Sequence, residues 1–344
     1  MMRAAFTAIA AVLALASAPA LANDTEANIA MGGLIFERND QISMDAEDLY
    51  LSLEQVRVRY TYTNHSDAPI TLLIAFPLPD VPLPGRDPDW HEVAYPDWDD
   101  IGMETRVDGK LAGLLRIDIA KVGGVDVDAR LKALGWPAVH WKDPDFRARL
   151  AALSADDKSA LVAEGLLTTD GMADSMTGGD VRPAWTVSTS YVRTQTFPPG
   201  VAVTVEHRYN PLEGGTVGAG LDRDMRDTIP APNADYEHRF CVDEAFVRGY
   251  DRKRYLPSGA VDERYFPVEN WIGYKLSPGA NWRGPIGRFR LTVDKGYPDR
   301  LVSLCMNGLT KTGPTTFEVI KTNYEPTHDL ELLFITLVPS EGGY

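Results

Sequence analysis

The chain has 344 residues, a formal net charge of −15 and a 44% hydrophobic content. That apolar share is ordinary for a packed core, and the length suggests about two domains. An acidic chain without a lysine- or arginine-rich run lacks what nucleic acid and anionic lipid surfaces demand, which excludes both as expected partners.

The first 22 residues, MMRAAFTAIAAVLALASAPALA, hold one basic residue, Arg3, then an apolar core and Pro19. The small-residue pattern Ala20-Leu21-Ala22 follows, so the segment reads as a secretory signal peptide cut after Ala22. Its apolar core is short of the roughly 20 residues that a membrane span needs. Removing Arg3 with it takes the net charge from −15 to −16. No later stretch reaches spanning length, so a periplasmic or secreted product with no membrane span is expected.

The dominant signal beyond the leader is two-residue alternation. In EQVRVRYTYTNHSD, Val56, Val58, Tyr60 and Tyr62 alternate with Arg57, Arg59 and Thr61, the pattern of a half-buried strand. NHSDAP supplies turn chemistry, and ITLLIAF returns as a more buried strand, so the two predict an antiparallel hairpin. Residues 76–100, FPLPDVPLPGRDPDWHEVAYPDWDD, then crowd prolines, carboxylates and two tryptophans together. Proline lacks the donor a central strand needs, so this predicts a stiff extended connector lying on the surface.

From about residue 126 to 167 the period turns helical, with Ser154 and Asp157 in capping-box spacing and Gly165 as a stop. Alternation resumes in GVAVTVEHRYNP, with Val201, Val203, Val205, His207 and Tyr209 on one face. It recurs at Phe289, Leu291 and Val293, and RLVSLCMNG, TTFEVIKTNY and DLELLFITLV complete the strand series. Glycine, charge and proline concentrate in residues 214–235, which marks a boundary. The expected fold is mainly β: two antiparallel β-sandwich-like domains, 23–220 with a helical insert and 236–344 with a disulfide. Cys241 and Cys305 are the two cysteines, and in an exported chain such a pair predicts a disulfide joining two strands.

Several stretches together, among them NDTEANIAMGGLIFERNDQISMDAEDLYLS, AFPLPD, QTFPPGVAVTVEHRYNPLEGG and NWIGYKLSPGANWRGPIGRFRLTVDKGYPDRLVSLC, resemble an exported proteobacterial family called domain of unknown function 4424. The resemblance covers nearly the whole chain after the leader. It implies an exported two-domain protein and brings no catalytic residues.

Motifs for chemistry are few. There is no G-x-S-x-G nucleophile elbow. His207 falls on the apolar face of its strand, where a buried hydrogen-bonded histidine is the ordinary outcome. YEHRF at His238 repeats the Glu-His-Arg context and reads as a second such strand, a half-buried histidine between exposed glutamate and arginine being what alternation alone produces. HEVAY at His91 has Tyr95 where a zincin needs its second histidine, and GGTVGAG lacks the Walker lysine. Asp87, Asp89, His91, Asp97, Asp99 and Asp100 form an oxygen-rich group of the kind that binds calcium, although no EF-hand spacing is present.

Trp90 and Trp98 in that stretch, and Trp271 and Trp282 in NWIGYKLSPGANWRG, offer faces that stack on sugar rings. These residues lead to a non-enzymatic envelope or secreted protein that engages a partner protein or a glycan through loops near 76–100 and 271–283. The alternative is a calcium-dependent or carboxylate-based glycan hydrolase, since that chemistry needs only two well-placed carboxyl groups.

Overall fold

A computed structural model describes residues 25–30, 33–81, 101–169, 181–228 and 236–340. The chain is mainly β, and its described residues form sheets of eight, six and four strands, with a two-stranded ribbon in the helical insert. Sandwich-like packing places the core between the inner face of the eight-stranded sheet and the facing sides of the other two. Ile74, Phe76 and Phe197 come from the six-stranded sheet, and Ile272, Tyr274, Leu332 and Phe334 from the four-stranded one.

The central ladder of the large sheet runs Thr316–Tyr324, Ile286–Asp294, Ile42–Leu51, Val56–Asn64, Ala202–Tyr209 and Glu104–Val107. Alternation decides which face each residue takes. Val56, Val58, Tyr60 and Tyr62 are 2% exposed or less, and Phe289, Leu291 and Val293 are fully buried. Val203, Val205, His207 and Tyr209 point inward as their spacing predicts, whereas Val201 lies before the strand and is 54% exposed. A bulge between Met44 and Ala46 shifts the phase of strand Ile42–Leu51 and turns Glu47 into the core. Gly287 makes room for it, because a Cβ there would meet the Asp45 carbonyl oxygen at 2.6 Å.

The hairpin expected between residues 56–64 and 70–77 does not form. Val56–Asn64 pairs with Ile42–Leu51 and Ala202–Tyr209, while Ile70–Pro77 joins the six-stranded sheet beside Thr186–Phe197. Asn64 explains the divergence. Its buried amide donates to the Ala68 carbonyl at 2.8 Å and the Phe197 carbonyl at 2.9 Å, making NHSDAP a corner between sheets.

The boundary drawn at 214–235 does not divide the strands into two sandwiches. Ile286–Asp294 lies parallel to Ile42–Leu51 in register Leu291 to Leu49, so residues from both sides share one sheet. Glycine and proline mark where the chain turns, not where its contacts end. A long-range parallel pairing leaves no local trace in the sequence.

The helical insert carries helices Asp128–Ala133, Phe146–Ala151 and Ala155–Ala163. Ser154 caps the last of these by accepting from the Asp157 amide at 3.1 Å and donating to its carboxylate at 2.6 Å. Trp136, Phe146, Leu161 and Trp185 give the insert a small core of its own. Further along, YEHRF is helical, not a strand. Tyr236 and Phe240 bury the same face of one turn, and helix Glu244–Arg254 follows with Asp243 as its N-cap. The Cys241–Cys305 disulfide therefore ties the end of that turn to the residue after strand Leu301–Leu304, and does not join two strands. Among the described residues no helix is long and apolar enough to cross a membrane.

Candidate functional site

A cleft of about 260 Å³ opens at one end of the four-stranded sheet. Strand Tyr265–Tyr274 brings Trp271, Tyr274 and then Lys275, and the start of strand Leu330–Pro339 brings Asp329 and Glu331 from the neighbouring register. The helical turn 236–240 adds Arg239 and Phe240. Pro79 and Asp80 close the cleft as the chain leaves strand Ile70–Pro77. The two stretches that the sequence marks for binding thus meet here: the first residues of 76–100, and the first residues of 271–283.

The charges of the cleft are paired. Arg239 Nε lies 2.7 Å from Glu331 Oε2, and Lys275 Nζ lies 3.3 Å from Asp329 Oδ2, all four side chains being partly buried. Asp329 Oδ1 also accepts from the amides of Leu276 and Ser277 and from the Ser277 hydroxyl at 2.8 Å. Asp80 accepts from the Ser188 hydroxyl at 2.7 Å. Trp271 is 7% exposed and packs with Phe240 and Leu333 on the side of the sheet that faces the helices. Its indole lies over Gly214, where an added Cβ would overlap the ring nitrogen. Among the described residues, the indole N–H has no hydrogen-bond partner.

The remaining candidates are placed differently. Trp282 is 1% exposed and stacks in the core, its ring 4.8 Å from that of Tyr62. It ends the short 3-10 helix Ser277–Asn281 and closes the sandwich, presenting no face to solvent. Trp90, Trp98, Asp87, Asp89, His91, Asp97, Asp99 and Asp100 lie outside the described residues. The beginning of their stretch is not on the surface: Phe76, Leu78 and Val81 are buried, and the Leu78 and Val81 amides bond to the Thr189 and Val187 carbonyls. Among the described residues no group of three or more His, Cys, Asp or Glu side chains could hold a metal ion.

His207 is 2% exposed, its Nδ1 2.7 Å from the Thr105 hydroxyl and its ring 4.5 Å from that of Phe76. It is a packed, hydrogen-bonded histidine. His238 is exposed on the helical turn. Arg239, Lys275, Asp329 and Glu331 escape a reading of the sequence. The only local signal was the basic residue four positions after Trp271; the carboxylates arrive from a strand distant in the chain.

Four chains of known structure show similarity to this one. One of them is a crystal structure from Legionella pneumophila subsp. pneumophila, of a protein named for a proposed nutrient-binding role. It has 14% sequence identity and a TM-score of 0.42 over 92% of this chain and 70% of that one. No curated protein matches the sequence. The family model described as Domain of unknown function (DUF4424) matches residues 22–333, nearly the whole chain, and the protein belongs to that family.

Proposed function

We propose that this chain is an exported, non-enzymatic binding protein of the periplasm or the extracellular space. Its ligand is a neutral glycan unit held in the Trp271 cleft. The observation that carries the reading is the convergence of an aromatic and of paired charged groups there: Trp271, backed by the buried Phe240, beside Arg239–Glu331 and Lys275–Asp329. Aromatic surface suits the apolar side of a sugar ring, and fixed donors and acceptors suit its hydroxyls. A cleft of about 260 Å³ is smaller than the roughly 300–1,000 Å³ of sites for drug-sized ligands, and fits a single sugar residue at the end of a chain.

Pairing also favours holding over cleaving. A glycosidase needs a carboxyl group free to carry a proton. Asp329 is held by Lys275 and two amides, Glu331 by Arg239, and Asp80 by Ser188. Export rests on the leader-like first 22 residues and is supported by the Cys241–Cys305 disulfide, which persists in oxidising compartments.

The test is a glycan array probed with the chain lacking residues 1–22, followed by titration of the best ligand against Lys275→Ala and Glu331→Gln. Saturable binding that both substitutions weaken supports the reading. A blank array, with an envelope protein captured through the same residues, would reassign the cleft to a protein partner.

A further inference from the structure

Opposite the core, the outer face of the eight-stranded sheet forms an open concavity of about 640 Å³. Two adjacent cross-strand rows line it. In one, Arg290, Asp48, Arg59, Glu206 and Arg106 sit opposite one another in turn. The sign of charge changes at every step, and each arginine has a carboxylate: Arg59 meets Glu206 at 3.4 Å, Arg106 meets Glu104 at 2.8 Å, and Arg290 reaches Asp48 and Glu318.

The second row breaks that alternation. It runs Thr292, Tyr50, Arg57, Arg208, Glu104, so two arginines stand directly opposite each other on neighbouring strands. Arg57 lies with its guanidinium carbon 4.2 Å from the centre of the Tyr50 ring. Glu104 turns to Arg106. Among the described residues neither Arg57 nor Arg208 has a carboxylate partner. Like charges at this position destabilise a sheet, because the Cβ atoms are only about 5 Å apart. In a chain of net charge −15, carboxylates to relieve them are plentiful.

We propose that Arg57 and Arg208 form an oxyanion site, distinct from the Trp271 cleft, for a compact solute bearing a carboxylate or a phosphoryl group. Guanidinium forks bind such groups through paired charge-assisted hydrogen bonds, and two that rise from paired positions of neighbouring strands can share one anion, with Arg57 swinging from the Tyr50 ring to reach it. The Tyr50 ring and the Thr292 hydroxyl side of the concavity supply contacts for the body of the solute. Its size is bounded by charge: Asp48, Glu104 and Glu206 surround the pair and repel the extended backbone of a polyanion.

Calorimetric titration of the leaderless chain at low ionic strength, with phosphate, sulfate and glucuronate in parallel and chloride as the ionic control, tests this. Saturable binding of at least one oxyanion is expected, weakened about tenfold or more by Arg57→Gln and by Arg208→Gln. Arg147→Gln, on the distant helix Phe146–Ala151, removes the same charge and should leave binding unchanged. The phosphate and glucuronate arms distinguish the two ligand chemistries. Absence of saturable binding in all three, or equal weakening by Arg147→Gln, would overturn the site. Unaltered melting of each variant confirms that folding is intact.

Discussion

Tyr60 and Tyr274 join the eight-stranded and four-stranded sheets through a hydroxyl–hydroxyl contact of 2.9 Å inside the core. Tyr274 also donates to Glu47 at 3.4 Å, so its single proton is directed to the carboxylate and Tyr60 donates to Tyr274. Burial, and then the nearby Glu47, hold the Tyr274 phenol far above its ordinary range, keeping it a donor. Tyr274→Phe removes both bonds from a dry site and should cost about 1–3 kcal/mol in urea unfolding. Tyr60→Phe leaves the Tyr274–Glu47 bond in place and should cost less. Equal costs for the two substitutions would contradict the direction assigned to the chain of protons.

His140 provides a pH dependence. It sits among Trp141, Phe146 and Trp185, with ring centres 5.2–5.3 Å away, and burial lowers its pKa from 6.5 to about 4. Between these values the unfolded chain takes up a proton that the folded chain refuses, so stability falls as pH drops through that window. The loss amounts to roughly 3 kcal/mol once pH is below both values. Carboxylates act elsewhere on the scale: Arg130 holds Glu164 below its ordinary range, and its contribution is lost only as acid protonates it. The measurement is the stability difference between the parent and His140→Gln at pH 7.5 and pH 4.5. The parent's advantage should shrink at the lower pH; an unchanged gap would mean that the ring is not excluded from water.

Cys241 and Cys305 close a loop across 64 positions. On the chain-entropy account a loop of that size stabilises the fold by about 4 kcal/mol. The Cys241→Ser/Cys305→Ser pair should therefore lower the melting temperature and denaturant midpoint markedly. The helical turn bearing Phe240 and the Arg239–Glu331 pair should loosen first, since the bridge anchors that turn to the strand end. Hydrogen exchange localised to residues 236–254 is the readout, and uniform exchange across the chain would show the bridge to be merely global.

Local patterns in the sequence were legible wherever one face of one element decided the outcome. The Arg-Tyr alternation of residues 56–62 dictated which side chains are buried, and Ser154 with Asp157 marked a helix start that the structure contains. Partners were not legible. Nothing local says that Ile286–Asp294 will lie beside Ile42–Leu51, or that Asn64 will send the chain to another sheet. The five residues Tyr236 to Phe240 fit either period, so alternation alone does not separate strand from helical turn there, though Asp243 before an acidic helix start is a usable cap signal. Of the cleft, Trp271 stood out by type, whereas Arg239 and Glu331 meet only through folding, 92 positions apart.

Gly214 tests the support of the cleft without touching its polar groups. It lies opposite Trp271 in the ladder, and the indole rests where a Cβ would stand. Gly214→Ala must push the ring from that position or shift the strand, and overpacking of this kind costs about 1–3 kcal/mol. The displaced indole should alter near-ultraviolet circular dichroism and tryptophan emission and weaken the cleft's ligand, even where the chain remains folded. Gly113→Ala, at a position with nothing within 4 Å of the new Cβ, should leave all three unchanged. Loss of stability without a change in indole signal or ligand affinity would place Gly214 in the scaffold and remove the indole's position from the description of the site.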